Sequence, residues 1–375
     1  MRISDLSLTK NETGIRASAR VEWEDCEQAG QEVFIETEKE FEKDISLNPH
    51  SFLIGCILPA LRLGEKRISI EGRICPALKE GLETVVAVIR HWNGSAYGPI
   101  NIECKIREKP SREATAKRHA GIFLSGGIDS LASLRTNKLN YPDRHPGVTR
   151  DCLFVHGFDI GGVKKRGTKY HVFERAKKAL KKISENAGTR LIPVYTNIRH
   201  LCDEREFWQN DFFGAVLASV AHCFDSILER VYVASSYDIP NLSPCGSHPL
   251  IDPEYSSYEL RIIHRDLSLS RLEKLRIVAG WDEALQNLRV CLANVPDRLN
   301  CGKCEKCVRT MTGLLAIGAL DRCGAFAEND VTPEHFEAFK ITIRHREPFY
   351  RELIQPLKHI GRKDLIDMIE KKLCE

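Results

Sequence analysis

The sequence predicts an α/β protein whose parallel sheet is covered by helices on both faces. From His119 onwards, apolar runs that suit buried strands alternate with segments of helical periodicity, which is the order of a parallel sheet. The first of these runs ends abruptly in Ser125–Ser130, a Ser-Gly-Gly-Ile-Asp-Ser sequence that is followed at once by a helical pattern. Farther along, the segment 291–307 brings four cysteines together at a spacing typical of a metal site.

The chain begins with a region, 1–106, that we predict to be a small separate α+β domain. Alternating apolar residues between Ile15 and Trp23 indicate a strand with one buried face. Three more strands are predicted at Glu32–Glu36, Arg67–Glu71 and Ile100–Ile106, and two helices at Pro49–Leu61 and Pro76–Trp92. Because the region holds no phosphate loop or ligand cluster, we expect an accessory domain that packs or recognises a protein partner.

The second predicted domain, 119–320, follows a charged linker at 107–118 that contains Pro110 and lacks apolar periodicity. Its strands are predicted at Gly121–Leu124, Cys152–His156, Arg190–Val194 and Arg230–Ala234, with helices near Tyr170–Ala187 and through Phe212 to Ala221. Ligands of parallel sheets bind beyond the carboxyl ends of the strands. We therefore expect Ser125, His156 and Ser235, which each follow or end a predicted strand, to converge on one crevice.

The last third of the chain is predicted to be helical. Helices are expected at Leu269–Ala279, Glu305–Ile317, Pro333–His345 and in a final run through Leu373. Residues 321–375 are assigned to a C-terminal helical extension. Their periodicity is that of ordinary core helices and indicates no chemistry.

The loop at 125–130 has the composition of an anion site. Two glycines let the backbone approach an anion closely, and the amides at a helix N-terminus favour negative charge. It is not a Walker A loop, since no lysine follows Gly127, and its glycines lack the dinucleotide-binding spacing. Asp129 adds a carboxylate that could hold Mg²⁺. The predicted ATP-binding residues are Ser125, Gly126, Gly127, Ile128, Asp129 and Ser130.

The cysteine cluster predicts a structural metal site. Cys291 is followed by Cys301-Gly302-Lys303-Cys304-Glu305-Lys306-Cys307, which supplies four thiolates before a helix. Four sulfurs suit a closed tetrahedral Zn²⁺ site without an open coordination position. An iron–sulfur cluster remains the alternative, because thiolates also select such centres.

Both motifs together resemble one family. Ser-Gly-Gly-x-Asp-Ser is similar to the PP-loop of the ATP-pyrophosphatases, whose sheet is of the HUP type. A PP-loop followed by C-x7–10-C-G-x-C-x2-C resembles the QueC-like cyano-deazaguanine synthases, roughly over residues 119–320. Asp266–Ser270 looks like that family's helix entry. The resemblance implies an enzyme that uses ATP to adenylate a deazaguanine-like carboxylate and lets an amine displace AMP.

The resemblance also implies site residues. Ser125 and Asp129 would be catalytic. His156 is a candidate from its own chemistry and not from the resemblance: it could act as a base for the amine, or it could equally be a packed strand-end histidine. Asn210, His248 and Asp252 lie in segments that correspond to family motifs, and Ser235, which follows a predicted strand, is added to them as a candidate substrate residue. Gln209 replaces a family arginine, and the segment 248–255 departs from the family's substrate loop.

These departures leave the acceptor open. Ammonia would yield an amide or nitrile, as in queuosine biosynthesis. A protein amine is the alternative, as is thought for divergent QueC-like proteins of antiviral defence operons. In that case the N-terminal domain would bind the protein partner.

Two other functions stay open from the sequence. A tRNA-modifying PP-loop enzyme would use basic stretches such as Lys177–Lys182, but the net charge of +3 does not indicate a nucleic-acid partner. A catalytically inactive nucleotide-binding interaction protein would account for the altered substrate loop. No signal peptide or membrane-spanning run is recognised, so we expect a cytoplasmic protein with no membrane partner.

Overall fold

The computed structural model describes residues 1–108, 118–341 and 346–374. Within them, ten strands form one sheet in the order β10-β9-β6-β7-β8-β3-β2-β1-β4-β5. The strands are β1 (Arg2–Lys10), β2 (Gly14–Glu22), β3 (Gln31–Glu38), β4 (Arg67–Ile74), β5 (Asn101–Ile106), β6 (His119–Phe123), β7 (Thr149–His156), β8 (Arg190–Thr196), β9 (Leu228–Ala234) and β10 (Arg261–Arg265).

Helices cover both faces of this sheet. They are α1 (Pro49–Arg62), α2 (Pro76–Trp92), α3 (Ile128–Asn140), α4 (Tyr170–Asn186), α5 (Arg205–Phe207), α6 (Phe213–His222), α7 (Arg271–Ala279), α8 (Asp282–Asn287), α9 (Glu305–Ala316), α10 (Glu347–His359) and α11 (Lys363–Cys374). A π-helical turn, Trp208–Phe212, joins α5 to α6. No helix in the described ranges is long and apolar enough to cross a membrane.

The part of the sheet from β10 to β8 is entirely parallel. Side chains of β6 alternate between the two faces, so that Phe123 packs with α1 and α6 whereas Ile122 packs with α3 and α4. Both faces are buried, which explains why the strands read as continuous apolar runs. The predicted α/β class and the helices on both faces are confirmed.

The N-terminal region continues the same sheet. β3 pairs antiparallel with β8, with Ile35 opposite Thr196, and the Thr37 hydroxyl donates to the Pro193 carbonyl at 2.7 Å. Ile35 is fully buried in a core that also contains residues of β6 and β7. The regions 1–106 and 119–320 therefore share one sheet and the core on one of its faces. Most of the predicted linker, 109–117, lies outside the described residues.

Several elements differ from the sequence predictions. Strands β1 and β10 were not predicted. In β1, polar residues on the buried side interrupt the apolar alternation, and β10 has only five residues, too few to show a clear alternation. The predicted helix at Pro333–His345 is wrong over its described part: Pro333–Phe336 forms a 3₁₀ turn and 337–341 is not helical. The short turn is enough to bury the Phe336 side chain in the core, where its ring lies 5.8 Å from that of Phe339. A longer helix is therefore not required to bury these apolar residues. Residues 342–345 lie outside the described ranges.

Candidate functional site

The loop at 125–130 connects the carboxyl end of β6 to the N-terminus of α3. Gly126 has a φ of +80°, a left-handed conformation that glycine adopts at little cost. The Ser130 hydroxyl donates to the Gly127 carbonyl at 3.1 Å, and the Ser125 hydroxyl accepts from the Gly127 amide at 3.3 Å. These bonds fold the six residues into a tight turn at the edge of the sheet.

Gly126 is packed closely against two neighbouring segments, at Leu180 and at Arg289. The amide of Arg289 donates to the Gly126 carbonyl at 2.8 Å. A Cβ on Gly126 would lie 3.0 Å from Leu180 Cδ2 and 3.3 Å from Arg289 Cβ. The loop is thus fastened to the segment that leads directly into Cys291, and a larger residue at 126 would press against both neighbours.

The N-terminus of α3 faces the space above the loop. Gly127 is its N-cap and supplies no side-chain cap, and the first amides of a helix lack intrahelical acceptors. The helix dipole adds partial positive charge there. The carboxylate of Asp129, in the first turn, accepts from Arg271 Nη1 at 3.0 and 2.9 Å. The turn therefore offers amides, a carboxylate and a neighbouring guanidinium to a ligand.

A cleft of about 340 Å³ opens in front of the loop. Ser125, Gly127, Ile128, Asp129 and Ser130 form one side of it. Its apolar side comes from the ends of neighbouring elements: Phe123, Phe158, Trp208, Phe213, Leu217 and Val233. One cleft thus joins an anion-binding turn to an apolar and aromatic wall, and its volume lies in the range of small-molecule sites.

A second chamber of about 570 Å³ shares a wall with this cleft. Asp129, Gln209, Arg271, Lys306 and Arg346 line both spaces. The chamber adds two further arginines, Arg205 and Arg309, against the carboxylates of Asp129 and Glu206. Cations therefore outnumber acids along its lining, which favours anionic ligands.

Burial strengthens the field of these cations. It lowers the pKa of Arg289, of Lys306 and of Arg309 below their ordinary values. A pKa lowered by burial means that the charged form lacks full solvation. An anion that enters would restore favourable interactions to these groups.

The N-terminal region positions one wall of the site. Asp211, in the π-helical turn, is buried and accepts from the Asn93 side chain and from the Tyr97 hydroxyl, each at 3.0 Å. This turn exposes Gln209 to both spaces and Asn210 to the second chamber. Two residues of the segment that follows α2 thus hold the turn in place.

Three of the predicted substrate residues do not line either space. Ser235 is buried, its carbonyl accepts from Lys274 Nζ at 2.8 Å, and the neighbouring Ser236 faces the cleft instead. Asp252 is buried and accepts from Ser247 and from His264 at 2.6 and 2.8 Å, and His248 packs beside it. Of the four predicted substrate residues, Asn210 alone reaches the second chamber.

His156 likewise lies away from the cleft. Its ring lines a separate cavity of about 900 Å³, stacks on Tyr170 at 4.7 Å and shares a hydrogen bond with the Thr168 carbonyl at 2.6 Å. Burial lowers its pKa, so the ring is neutral at neutral pH. The structure brings Ser125 and Asp129 together but does not bring His156 to them.

Local patterns did not indicate several residues of the site. Arg271, Arg289, Arg346 and Phe349 lie on or beside helices of ordinary periodicity and reach the site only through tertiary packing. The only local signal for two of them is the neighbouring motif: Arg271 directly follows Asp266–Ser270, and Arg289 lies two positions before Cys291.

The four predicted metal ligands come together. The Sγ atoms of Cys291, Cys301, Cys304 and Cys307 all lie within 4.8 Å of one another. The Cys291–Cys304 and Cys301–Cys307 sulfur pairs are each 3.9 Å apart. Tetrahedral Zn–S bonds of about 2.3 Å require sulfur separations of about this size. The cluster could hold a metal ion.

The Asn300 side chain and a glycine turn shape the cysteine cluster. The Asn300 side chain accepts from the amides of Val290 and Cys291 at 2.8 and 3.2 Å, which joins the first ligand to the second. Gly302 makes the turn between ligands with a φ of +73°, where a Cβ would collide with Glu328. Cys304 then caps α9, which carries Lys306 and Arg309. The cluster therefore fixes the helix that supplies cations to the site.

Comparisons of the chain with protein-family models, with curated proteins and with solved structures found no match.

Proposed function

We propose that this protein is an ATP-dependent ligase that activates a carboxylate by adenylation and joins it to an amine. The observation that carries the proposal is the cleft itself. It combines an uncapped helix N-terminus behind a Ser-Gly-Gly-Ile-Asp-Ser turn with buried cations and an apolar wall. Such a turn suits a polyphosphate, and the apolar wall suits the base of the nucleotide.

The proposed reaction has two steps. A carboxylate oxygen of the acid attacks the α-phosphorus, and the bond from that phosphorus to the bridging oxygen breaks, releasing pyrophosphate. The amine then attacks the acyl carbon, the carbon–oxygen bond to AMP breaks, and the amine nitrogen loses a proton. The cations of the cleft stabilise negative charge that develops on the departing phosphates. Ser125 and the loop amides hold and orient the phosphates, and positioning supplies much of the rate.

Two metal ions fit the donor groups. Asp129 offers the oxygen ligand that Mg²⁺ prefers, once its guanidinium partner Arg271 turns to the phosphates. A bound Mg²⁺ would supply charge neutralisation to the triphosphate. The four sulfurs of the cysteine cluster suit Zn²⁺ in a closed structural site. Zinc there would hold α9, and with it Lys306, against the cleft.

The likeness to the QueC-like family supports a deazaguanine-like acid as the substrate. The acceptor is ammonia or a protein amine. The hydrogen bonds from Asn93 and Tyr97 to the π-helical turn would let the N-terminal region influence which acceptor reaches the cleft.

Isotope exchange tests the adenylation step. The protein is incubated with ATP, Mg²⁺, labelled pyrophosphate and 7-carboxy-7-deazaguanine, without an amine. We expect label to enter ATP only when the acid is present, and about a hundred-fold less with Ser125→Ala, since one donor to the developing charge is lost. Exchange that needs no acid, or that Ser125→Ala leaves unchanged, would refute the proposal.

A further inference from the structure

The second chamber carries more positive charge than its own acids neutralise. Arg205, Arg271, Lys306, Arg309 and Arg346 line it, against Asp129 and Glu206. Glu305, at the start of α9, adds one carboxylate behind the wall, where it accepts from the Tyr350 hydroxyl at 3.0 Å. An excess of cations therefore remains even when Glu305 is included.

Arg309 holds donors that no described residue satisfies. Its side chain is 6% exposed, and its Nε and Nη1 atoms have no hydrogen-bond partner among the described residues. Its Nε lies 3.4 Å from the Glu305 carboxylate, an ion pair without hydrogen-bond geometry. A buried guanidinium with unsatisfied donors is costly, and it is a polar group that an oxyanion would satisfy.

The start of helix α10 completes the chamber. Arg346, just before it, reaches Glu305 at 3.1 Å, and the Phe349 ring stacks on Tyr237 at 5.4 Å. The Arg309 guanidinium lies over the Phe349 ring, 4.7 Å from its centroid. Phe213 and Pro244 add apolar surface to the same lining. The chamber thus places an apolar floor beside its arginines.

We propose that this chamber is a second anion site, which adjoins the nucleotide cleft and binds an aromatic carboxylate through Arg309 and Arg346. The shared wall of Asp129, Arg271 and Lys306 would set the carboxylate beside the phosphates. Anion binding follows from the charges and unsatisfied donors alone, whereas the role of the bound acid as substrate rests on the proposed function. The C-terminal extension is then part of the substrate site.

Fluorescence titration with pterin-6-carboxylate, a fluorescent aromatic acid, tests the site. Arg346→Gln is the test variant, because Arg346 is partly exposed and its loss is tolerable for folding. Arg351→Gln, which removes the same charge from an exposed position on α10, is the matched control. Binding of α,β-methylene-ATP is measured on the same proteins by calorimetry.

We expect the probe to bind with and without the ATP analogue. Arg346→Gln should weaken the probe about ten-fold or more, as the loss of a charged hydrogen bond predicts. Arg351→Gln should change the binding of neither the probe nor the ATP analogue, and pterin without its carboxylate should bind much more weakly than the acid. Mutual exclusion of probe and ATP analogue would overturn the proposal. So would absence of probe binding, equal affinity for unsubstituted pterin, or an Arg346→Gln protein that binds the probe normally. Failure of AMP formation would contradict the proposed function but leave these binding results unaffected.

Discussion

At the scale of single residues, Gly126 shows how the backbone limits the site. Its left-handed conformation and the close approach of Leu180 and Arg289 both disfavour a side chain. Gly188 has a similar φ of +63° but open space around it. The two glycines therefore separate the cost of the backbone conformation from the cost of crowding.

We expect Gly126→Ala to be more harmful than Gly188→Ala. Each substitution should cost about 1 kcal/mol for a left-handed alanine, and Gly126→Ala should lose more because the loop must shift. Urea unfolding measures the stabilities, and calorimetry with α,β-methylene-ATP measures binding. Equal stability losses together with unchanged nucleotide binding by Gly126→Ala would contradict the assigned role of the loop.

His156 provides a prediction about pH. Burial lowers its pKa in the folded protein, so as pH falls below about 6.5 the unfolded chain takes up a proton more readily than the native state. Its contribution to stability is therefore present above that pH and is lost on acidification. His156→Phe should show a smaller fall in the free energy of unfolding between pH 7.5 and 5.5 than the parent protein.

The same variant should retain AMP formation, because His156 lines a different cavity from the loop. A His156→Phe protein that folds normally but forms no AMP would restore the catalytic role expected from the sequence. A pH dependence identical to that of the parent would contradict the effect of burial.

At the scale of elements, local patterns explain what the sequence predicts well. The loop and the cysteine cluster each lie within a short stretch, so their residue types and spacing carry the information by themselves. Arg346 and Phe349 are different, since the last helices must fold back over α7 and α9 before these side chains reach the chamber. Ser235 was predicted to face the cleft, but the neighbouring Ser236 does so. The end of a predicted strand therefore locates the site approximately but does not tell which side chain faces a ligand.

The cysteine cluster leads to a metal prediction. Elemental analysis should find about one zinc per chain, and Cys307→Ser should lose it, whereas Cys323→Ser, a buried cysteine outside the cluster, should keep it. Chelation should lower the melting temperature markedly, because metal binding of this kind contributes on the order of 10 kcal/mol to folding. An iron–sulfur absorption band, or full zinc occupancy in Cys307→Ser, would contradict the assignment.

At the scale of the whole molecule, one sheet unites regions that the sequence presents as separate domains. The pairing of β3 with β8 joins segments that are far apart in the chain, and no local sequence pattern predicts it. The consequence is functional, because Asn93 and Tyr97 brace the turn that carries Gln209 and Asn210.

This continuity predicts shared stability. Ile35→Ala, at a fully buried position of β3, should cost about 2–5 kcal/mol, whereas Ile106→Ala, at a 40% exposed position, should cost far less. Fluorescence and circular dichroism should report one coincident unfolding transition for Ile35→Ala. A separate early transition confined to the N-terminal region would show that it unfolds independently.

Product analysis tests the proposed chemistry most directly. The protein is incubated with ATP, Mg²⁺, 7-carboxy-7-deazaguanine and ammonium, and the nucleotides and phosphates are quantified by chromatography. We expect AMP and pyrophosphate in equal amounts, and loss of both with Asp129→Asn, which keeps the shape of the side chain but removes its charge. Release of ADP and phosphate, or AMP formation that Asp129→Asn leaves unchanged, would contradict an adenylating site at this loop.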